Sequence, residues 1–216
     1  MGAREIVLAA DVLARHGLVT AFGHVSERVD THSALLTPPH ALGTLSEADV
    51  LVRLDLEAPE LPQGAPGEAW MHWAIYHSRP DVHAICRGQP PSSHPLGALG
   101  GPIRPIHGQG AWVSRALTVF DDARLVRTRA AGEQLAACLA EQDAIILRGN
   151  GALAVGASVA EAATRLWLLE VSARYILQAR AAGAPQTLSD DEITVWRLAA
   201  PDLMERLWEH LSTQEE

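Results

Sequence analysis

The feature that most limits what this chain can fold into is a tight β-hairpin followed at once by a long capped helix. Ala144-Ile145-Ile146-Leu147 runs into the turn Arg148-Gly149-Asn150-Gly151 and out along the strand Ala152 to Val155. Ser158 then reads as an N-cap with Glu161 at the third helical position, and the helical pattern continues to about Ala182. A chain with both in succession must pack strands and helices around a common core, which places it in the α/β class.

The rest of the chain reads in the same terms. An amphipathic helix spans about Ala3 to His16 and stops at Gly17. Val25 and Val29 alternate with polar neighbours before an Asp30–Ser33 turn and a second strand, Ala34 to Thr37. A short helical start at Ser46–Asp49 precedes a strand from Val50 to Leu54, and Ala58 to Gly67 is a Pro/Gly loop. A helix covers Glu68 to Ser78 with Glu68 in its first turn, and it closes at Arg79-Pro80. Further segments are a buried strand Val82 to Arg87, a small-residue helix near His94 to Leu99, less regular strands at Ile103–Ile106 and Ala116–Phe120, and a helix from about Ala130 to Glu141. Leu188 to Glu192 starts another helix, and no repeat or linker interrupts the series, so one domain over 1–216 is expected.

Composition excludes several functions. All 17 basic residues are arginines, which rules out Schiff-base chemistry, a pyridoxal phosphate linkage and a Walker lysine. A net charge of −9 repels a phosphate backbone, so nucleic acid is not an expected partner. The apolar runs are too short for a bilayer span, and Met1 to Glu5 passes straight into an amphipathic pattern without the regions of a signal peptide. Cys86 and Cys138 lie in dissimilar contexts, as reduced thiols do. A cytoplasmic protein without membrane contact is the expectation.

Several motifs occur in order over roughly residues 5 to 196. They are Gly23-His24-Val25-Ser26, Leu36-Thr37-Pro38, Glu68-x-x-x-His72-x-x-Ile75-Tyr76-x-x-Arg79-Pro80-Asp81-Val82, the Gly-Asn-Gly hairpin with Val155-Gly156 and Glu161-Ala162, and Leu188 to Glu192. This succession resembles the class II aldolase/adducin family, and its Gly-His-Val-Ser wording is similar to the aromatic-carboxylate decarboxylase branch. The resemblance implies a three-layer αβα domain with a central, mostly antiparallel sheet, assembled as a homotetramer with active sites at subunit boundaries. It implies retro-aldol, epimerase, dehydratase or decarboxylase chemistry on a substrate bound to a divalent ion. The family holds that ion with a His-x-His pair and a third histidine in the later hairpin, and those positions here are Arg87, Gln89 and Asn150. Arginine has no lone pair to offer and stays protonated, and the two amides offer only neutral oxygens, so no zinc-like site forms at these three positions and no metal cofactor is expected. The family's phosphate-holding positions also differ, with Pro66 and Gly67 before Glu68 and Pro39 and His40 after Pro38.

Glu68 matches the family's general acid/base, although a glutamate at a helix start is also favoured by the dipole alone. Arg87 can stabilise an enolate, carboxylate or oxyanion in place of the metal, or it can fill the vacated space as a structural ion pair, Glu68 being one possible partner. His24, Gln89, Asn150 and His107 are candidates for holding substrate, and His40 for contacting its far end. Asn150 also has a plain reading as a turn residue tolerating positive φ. His72 reads as a satisfied core histidine, Cys86 as an inert thiol facing away from Arg87, and Trp167, Trp196 and Trp208 as core or subunit contacts. The expected function is a lyase acting on a small carboxylate or keto acid by aldol-type cleavage or decarboxylation without a metal. The competing expectation is a noncatalytic binding or assembly module of the adducin kind.

Overall fold

The structure is a computed structural model that describes residues 2–213; Met1 and residues 214–216, which the expected domain includes, lie outside the described residues. The chain order is α1 (Gly2–Arg15), β1 (His24–Asp30), β2 (Ser33–Leu36), a short 3-10 turn (Leu42–Thr44), β3 (Val52–Asp55), α2 (Ala69–Ser78), β4 (Ala84–Gly88), α3 (Ser93–Ala98) and α4 (Gly110–Val113). It continues with β5 (Thr118–Phe120), α5 (Arg129–Leu139), β6 (Ala144–Leu147), β7 (Gly151–Gly156), α6 (Val159–Ala182), α7 (Asp190–Leu198) and α8 (Ala200–Ser212). The strands form one sheet in the order β3-β2-β1-β4-β7-β6-β5, antiparallel throughout except for the β5–β6 pair.

Two apolar clusters cover the two faces of the sheet. Val25, Cys86, Ile146 and Ala154 point to one face and pack against Ile6 and Leu13 of α1 and Leu166 and Leu169 of α6. Ile85, Ile145, Leu153 and Val155 point to the other, against Met71 and Ile75 of α2 and Leu135 and Leu139 of α5. The residues alternate along each strand as a period of two requires, and the result is a three-layer αβα arrangement. No helix among the described residues is long and apolar enough to cross a membrane.

Four details depart from the sequence reading. The segment Ile103–Ile106 contributes one bridge, Ile103 to Leu117, instead of a strand, because Pro102 and Pro105 lack the N–H groups that would extend a ladder. Ser46–Asp49 is a turn closed by the Asp49 carboxylate, which accepts from the Ser46 N–H and hydroxyl, while the helical turn lies earlier at Leu42–Thr44. Glu68 is the N-cap of α2 and lies before its first turn, without a capping bond from its side chain. Positive φ in the β6–β7 turn falls on Gly149 and Gly151, not on Asn150. The helix starts were well marked: Ser158 accepts from the Glu161 N–H, and Ser189 and Glu192 form a reciprocal capping box. Among the tryptophans, Trp167 and Trp208 pack on the α1/α6 cluster, and Trp196 is tilted against Trp112 at 6.0 Å.

Gly151 makes the hairpin possible next to β4. It sits at φ +92°, and a Cβ there would lie 2.2 Å from the Gly88 carbonyl oxygen. Gly151→Ala is therefore expected to cost roughly 1–3 kcal/mol, read as a lower midpoint in urea unfolding.

Candidate active site

One end of the sheet gathers the polar residues. His24 opens β1 and lies directly across from Arg87 near the end of β4, and Asn150 occupies the turn that joins β6 to β7. His24, Ser26 and Arg87 point to the α2 face because their neighbours Val25 and Cys86 point to the α1/α6 face. Helix α2 supplies His72 and Tyr76, one turn apart, to the same face.

The contacts form a continuous chain. Arg87 is 3% exposed, and its Nη2 donates to the Asn150 backbone oxygen at 2.9 Å and to Asn150 Oδ1 at 2.6 Å. The His24 and His72 rings meet edge to face with centroids 5.6 Å apart. Ser26 Oγ lies 2.8 Å from His72 Nδ1 and 2.8 Å from Tyr76 Oη. Burial lowers the pKa of both imidazoles, in His72 down to about 3, and the Arg87 guanidinium pushes them the same way; His24 is also lowered by His72. Both rings are therefore neutral at physiological pH. Burial lowers the Arg87 pKa as well, against a smaller opposing pull from Glu68.

Among the described residues no carboxylate makes a salt bridge to Arg87. Glu68, with its side chain 14% exposed, instead pairs with Arg127 Nε at 2.9 Å. The sequence alternative of a closed Arg87–Glu68 pair is thus replaced by two separate arrangements, Arg87 with Asn150 and Glu68 with Arg127. Glu68 is nevertheless close enough for its charge to act on Arg87.

The other site residues expected from sequence fall unevenly. Gln89 follows β4, which ends at Gly88, so strand alternation no longer governs its direction; its N–H donates to the Leu18 oxygen. His40 is 57% exposed at its side chain and faces Asp49, 3.6 Å from Nδ1 to the carboxylate. His107 belongs to the opposite layer, where Nε2 shares a 2.9 Å hydrogen bond with Ser172 of α6 and the ring meets Tyr175 edge to face. Neither His40 nor His107 joins the Arg87 cluster within this chain. His72, Ser26, Tyr76 and Arg127 were not read as site residues from sequence. Ser26 was accessible by strand alternation from His24, and His72 by its position one turn from Glu68; Arg127 lies in a loop whose path leaves no sequence signal.

Residues 4–177 match the class II aldolase and adducin N-terminal domain. The chain belongs to the class II aldolase/adducin family. The 3,4-dihydroxyphthalate decarboxylase of Rhodococcus jostii (strain RHA1) is 32% identical over 219 residues, covering 94% of this chain and 89% of that protein. The enzyme of the same name from Arthrobacter keyseri is 29% identical over 210 residues, covering 89% and 85%. The L-fuculose-1-phosphate aldolase of Thermus thermophilus superposes with a TM-score of 0.75 at 27% identity, over 85% of this chain and 97% of the aldolase. By these names the chain stands among the carbon–carbon lyases of the family.

The metal implied by the family does not fit the residues present. Asn150 Oδ1, the one oxygen of its side chain, already accepts from the Arg87 guanidinium at 2.6 Å, and that fixed positive charge opposes a divalent cation beside it. Among the described residues no three His, Cys, Asp or Glu side chains converge as a ligand set.

Proposed function

We propose that this chain is a metal-independent lyase that decarboxylates a small aromatic carboxylic acid of the hydroxylated benzoate or phthalate type. The observation that carries this reading is Arg87, a nearly buried guanidinium with no carboxylate partner among the described residues. Buried charges are normally paired, so a fixed, unpaired cation at the end of the sheet is a site for an anion supplied from outside. The relatives that span most of the chain are named as decarboxylases of a hydroxylated phthalate, which gives that anion its chemical class.

In the proposed reaction Arg87 holds negative charge on the substrate through its remaining donors. The electron-rich hydroxylated ring first takes a proton at the carbon that bears the carboxylate, relayed from solvent through the Glu68 carboxyl group, and the positive charge is shared with the ring hydroxyl. The bond from that carbon to the carboxylate then breaks, CO2 leaves, and the electron pair returns to the ring and restores its aromaticity. Asn150 aligns the guanidinium, His24 lies directly across the sheet from it, and Gln89, His107 and His40 belong to the proposal as substrate contacts, the last two only if another copy of the chain brings them near. A single preorganised donor supplies about 3–4 kcal/mol, so a substrate whose own ring hydroxyl activates the carboxyl-bearing carbon toward protonation suits this site better than an unactivated aldol.

The test is CO2 release from 3,4-dihydroxyphthalate and from simple hydroxybenzoates, run with and without a strong chelator, beside elemental analysis of the purified protein. Turnover that is unchanged by chelation, with metal far below one equivalent, is the expected result. Turnover abolished by the chelator and restored by one ion would overturn the metal-free mechanism. Absence of CO2 release across the panel would favour the noncatalytic reading, in which the Arg87–Asn150 and Glu68–Arg127 contacts are purely structural.

A further inference from the structure

Six buried side-chain polar atoms lack a hydrogen-bond partner among the described residues, and four of them fall in one cluster: His24 Nδ1, His72 Nε2, Arg87 Nε and Asn150 Nδ2. The four residues are linked, since His24 faces Arg87 across β1 and β4, Arg87 bonds Asn150, and the His24 and His72 rings touch. Leaving a buried polar atom without a partner is unfavourable, so a concentration of them points to a group that completes them.

The hydrogen-bond chemistry fixes what three of these atoms offer. Arginine has donors only, so the Asn150 atom facing Arg87 must be its oxygen, and the amide nitrogen is the free end. Arg87 Nε can only donate. His72 is set by a relay. Burial keeps the Tyr76 phenol protonated, and its side-chain contact is the Ser26 hydroxyl at 2.8 Å, so the phenol donates to Ser26. Ser26 then gives its own proton to His72 Nδ1, also at 2.8 Å. A neutral ring that accepts at Nδ1 carries its proton at Nε2. The reverse relay would bury the phenol hydrogen without an acceptor, and a Ser26 that accepted from both neighbours would bury its own hydrogen unpaired, so the tautomer that accepts at Nδ1 is the one that satisfies all three groups.

We infer that His72 is a further substrate-positioning residue, whose Nε2–H, held in that tautomer by Tyr76 and Ser26, joins Arg87 Nε and the Asn150 amide as three fixed donors for one carboxylate of an aromatic acid. This rests on the proposed function and deepens it. A cluster whose fixed free groups all donate accepts a planar carboxylate and refuses a divalent cation. His24 Nδ1 can donate or accept, and so adapts to a neighbouring hydroxyl.

The experiment uses the full chain labelled with ¹⁵N-histidine, with benzoate as probe, and binding measured by calorimetry. In wild type the His72 ring is expected to be neutral with Nε2 protonated, and benzoate shifts the Nε2 resonance while Nδ1 remains bare. Ser26→Ala mixes the tautomers. His72→Leu weakens benzoate binding roughly ten- to hundredfold, whereas His72→Gln, whose amide keeps a donor, stays within about threefold, the scale of one hydrogen bond to a charged group. A proton on Nδ1 in wild type overturns the inference without any variant, and so does a wild-type chain that does not bind benzoate. If His72→Leu binds like wild type while Arg87→Met loses binding, His72 has no such role and the Arg87 reading stands. Should Arg87→Met bind benzoate unchanged, the proposed function is the part that fails.

Discussion

Arg87→Met is expected to lower kcat/KM for decarboxylation roughly 10²–10³-fold, the scale of one preorganised charge-stabilising donor worth about 3–4 kcal/mol, while the melting temperature holds or rises. The two readouts move apart because Arg87 is held in the fold at a cost. Its guanidinium is nearly buried, burial lowers its pKa, and its protein partners are both neutral oxygens of Asn150. Methionine removes a buried charge whose desolvation costs several kcal/mol, and leaves two acceptors unpaired at about 1–3 kcal/mol each. These terms offset each other or favour the variant. Loss of activity with retained stability is the signature of a residue kept for function. If activity and melting temperature fell together by a large margin, Arg87 would be a structural tie and the anion site would have to be sought elsewhere. Arg87→Lys separates charge from geometry: it keeps the cation but lacks the forked donors, so it is expected to recover only part of the rate.

The legible parts of this structure were those governed by local chemistry. Ser158 with Glu161, and Ser189 with Glu192, announce helix starts because the cap and the residues it satisfies are three apart in sequence. The alternation of Cys86 and Arg87 was enough to send one into the α1/α6 core and the other toward α2. The substitution at the family's ligand positions was readable because arginine cannot ligate whatever its surroundings. What sequence could not supply was pairing between distant side chains. Glu68 meets Arg127, 59 positions away, instead of Arg87, and His72 is half satisfied by Ser26 and half orphaned, a state no spacing rule encodes. Of the two readings of Asn150, a substrate contact or a turn residue tolerating positive φ, the second fails because the flanking glycines take that conformation, and the side chain holds Arg87. The strand expected at Ile103–Ile106 failed for a simpler reason, that Pro105 within it and Pro102 before it lack the N–H groups a ladder needs.

Acidification is expected to unfold the protein well before its ion pairs are lost. His72 titrates near 6.5 when unfolded and at about 3 in the fold, and His24 is lowered in the same direction, both chiefly by burial. A depressed folded pKa means that the unfolded chain takes up protons first, so the stabilisation is complete above about pH 6.5 and is lost as pH falls toward 3. Each group at full effect costs about 1.4 kcal/mol per pH unit, and the whole His72 shift is on the order of 5 kcal/mol, comparable with the total stability of many domains. His107, lowered by partial burial, adds a smaller contribution in the same window. Carboxylates act later: Asp122, held down to about 2 chiefly by its hydrogen bonds from Arg124, loses its pairing only at the acid extreme. Urea unfolding measured from pH 6.5 down to 4.5 should therefore show stability falling with a slope that steepens as the unfolded histidines take up protons, and the slope should be shallower by up to about one proton in His72→Gln. A flat stability profile over that range would show that His24 and His72 titrate normally in the fold, which is incompatible with a neutral, desolvated pair beside the Arg87 guanidinium.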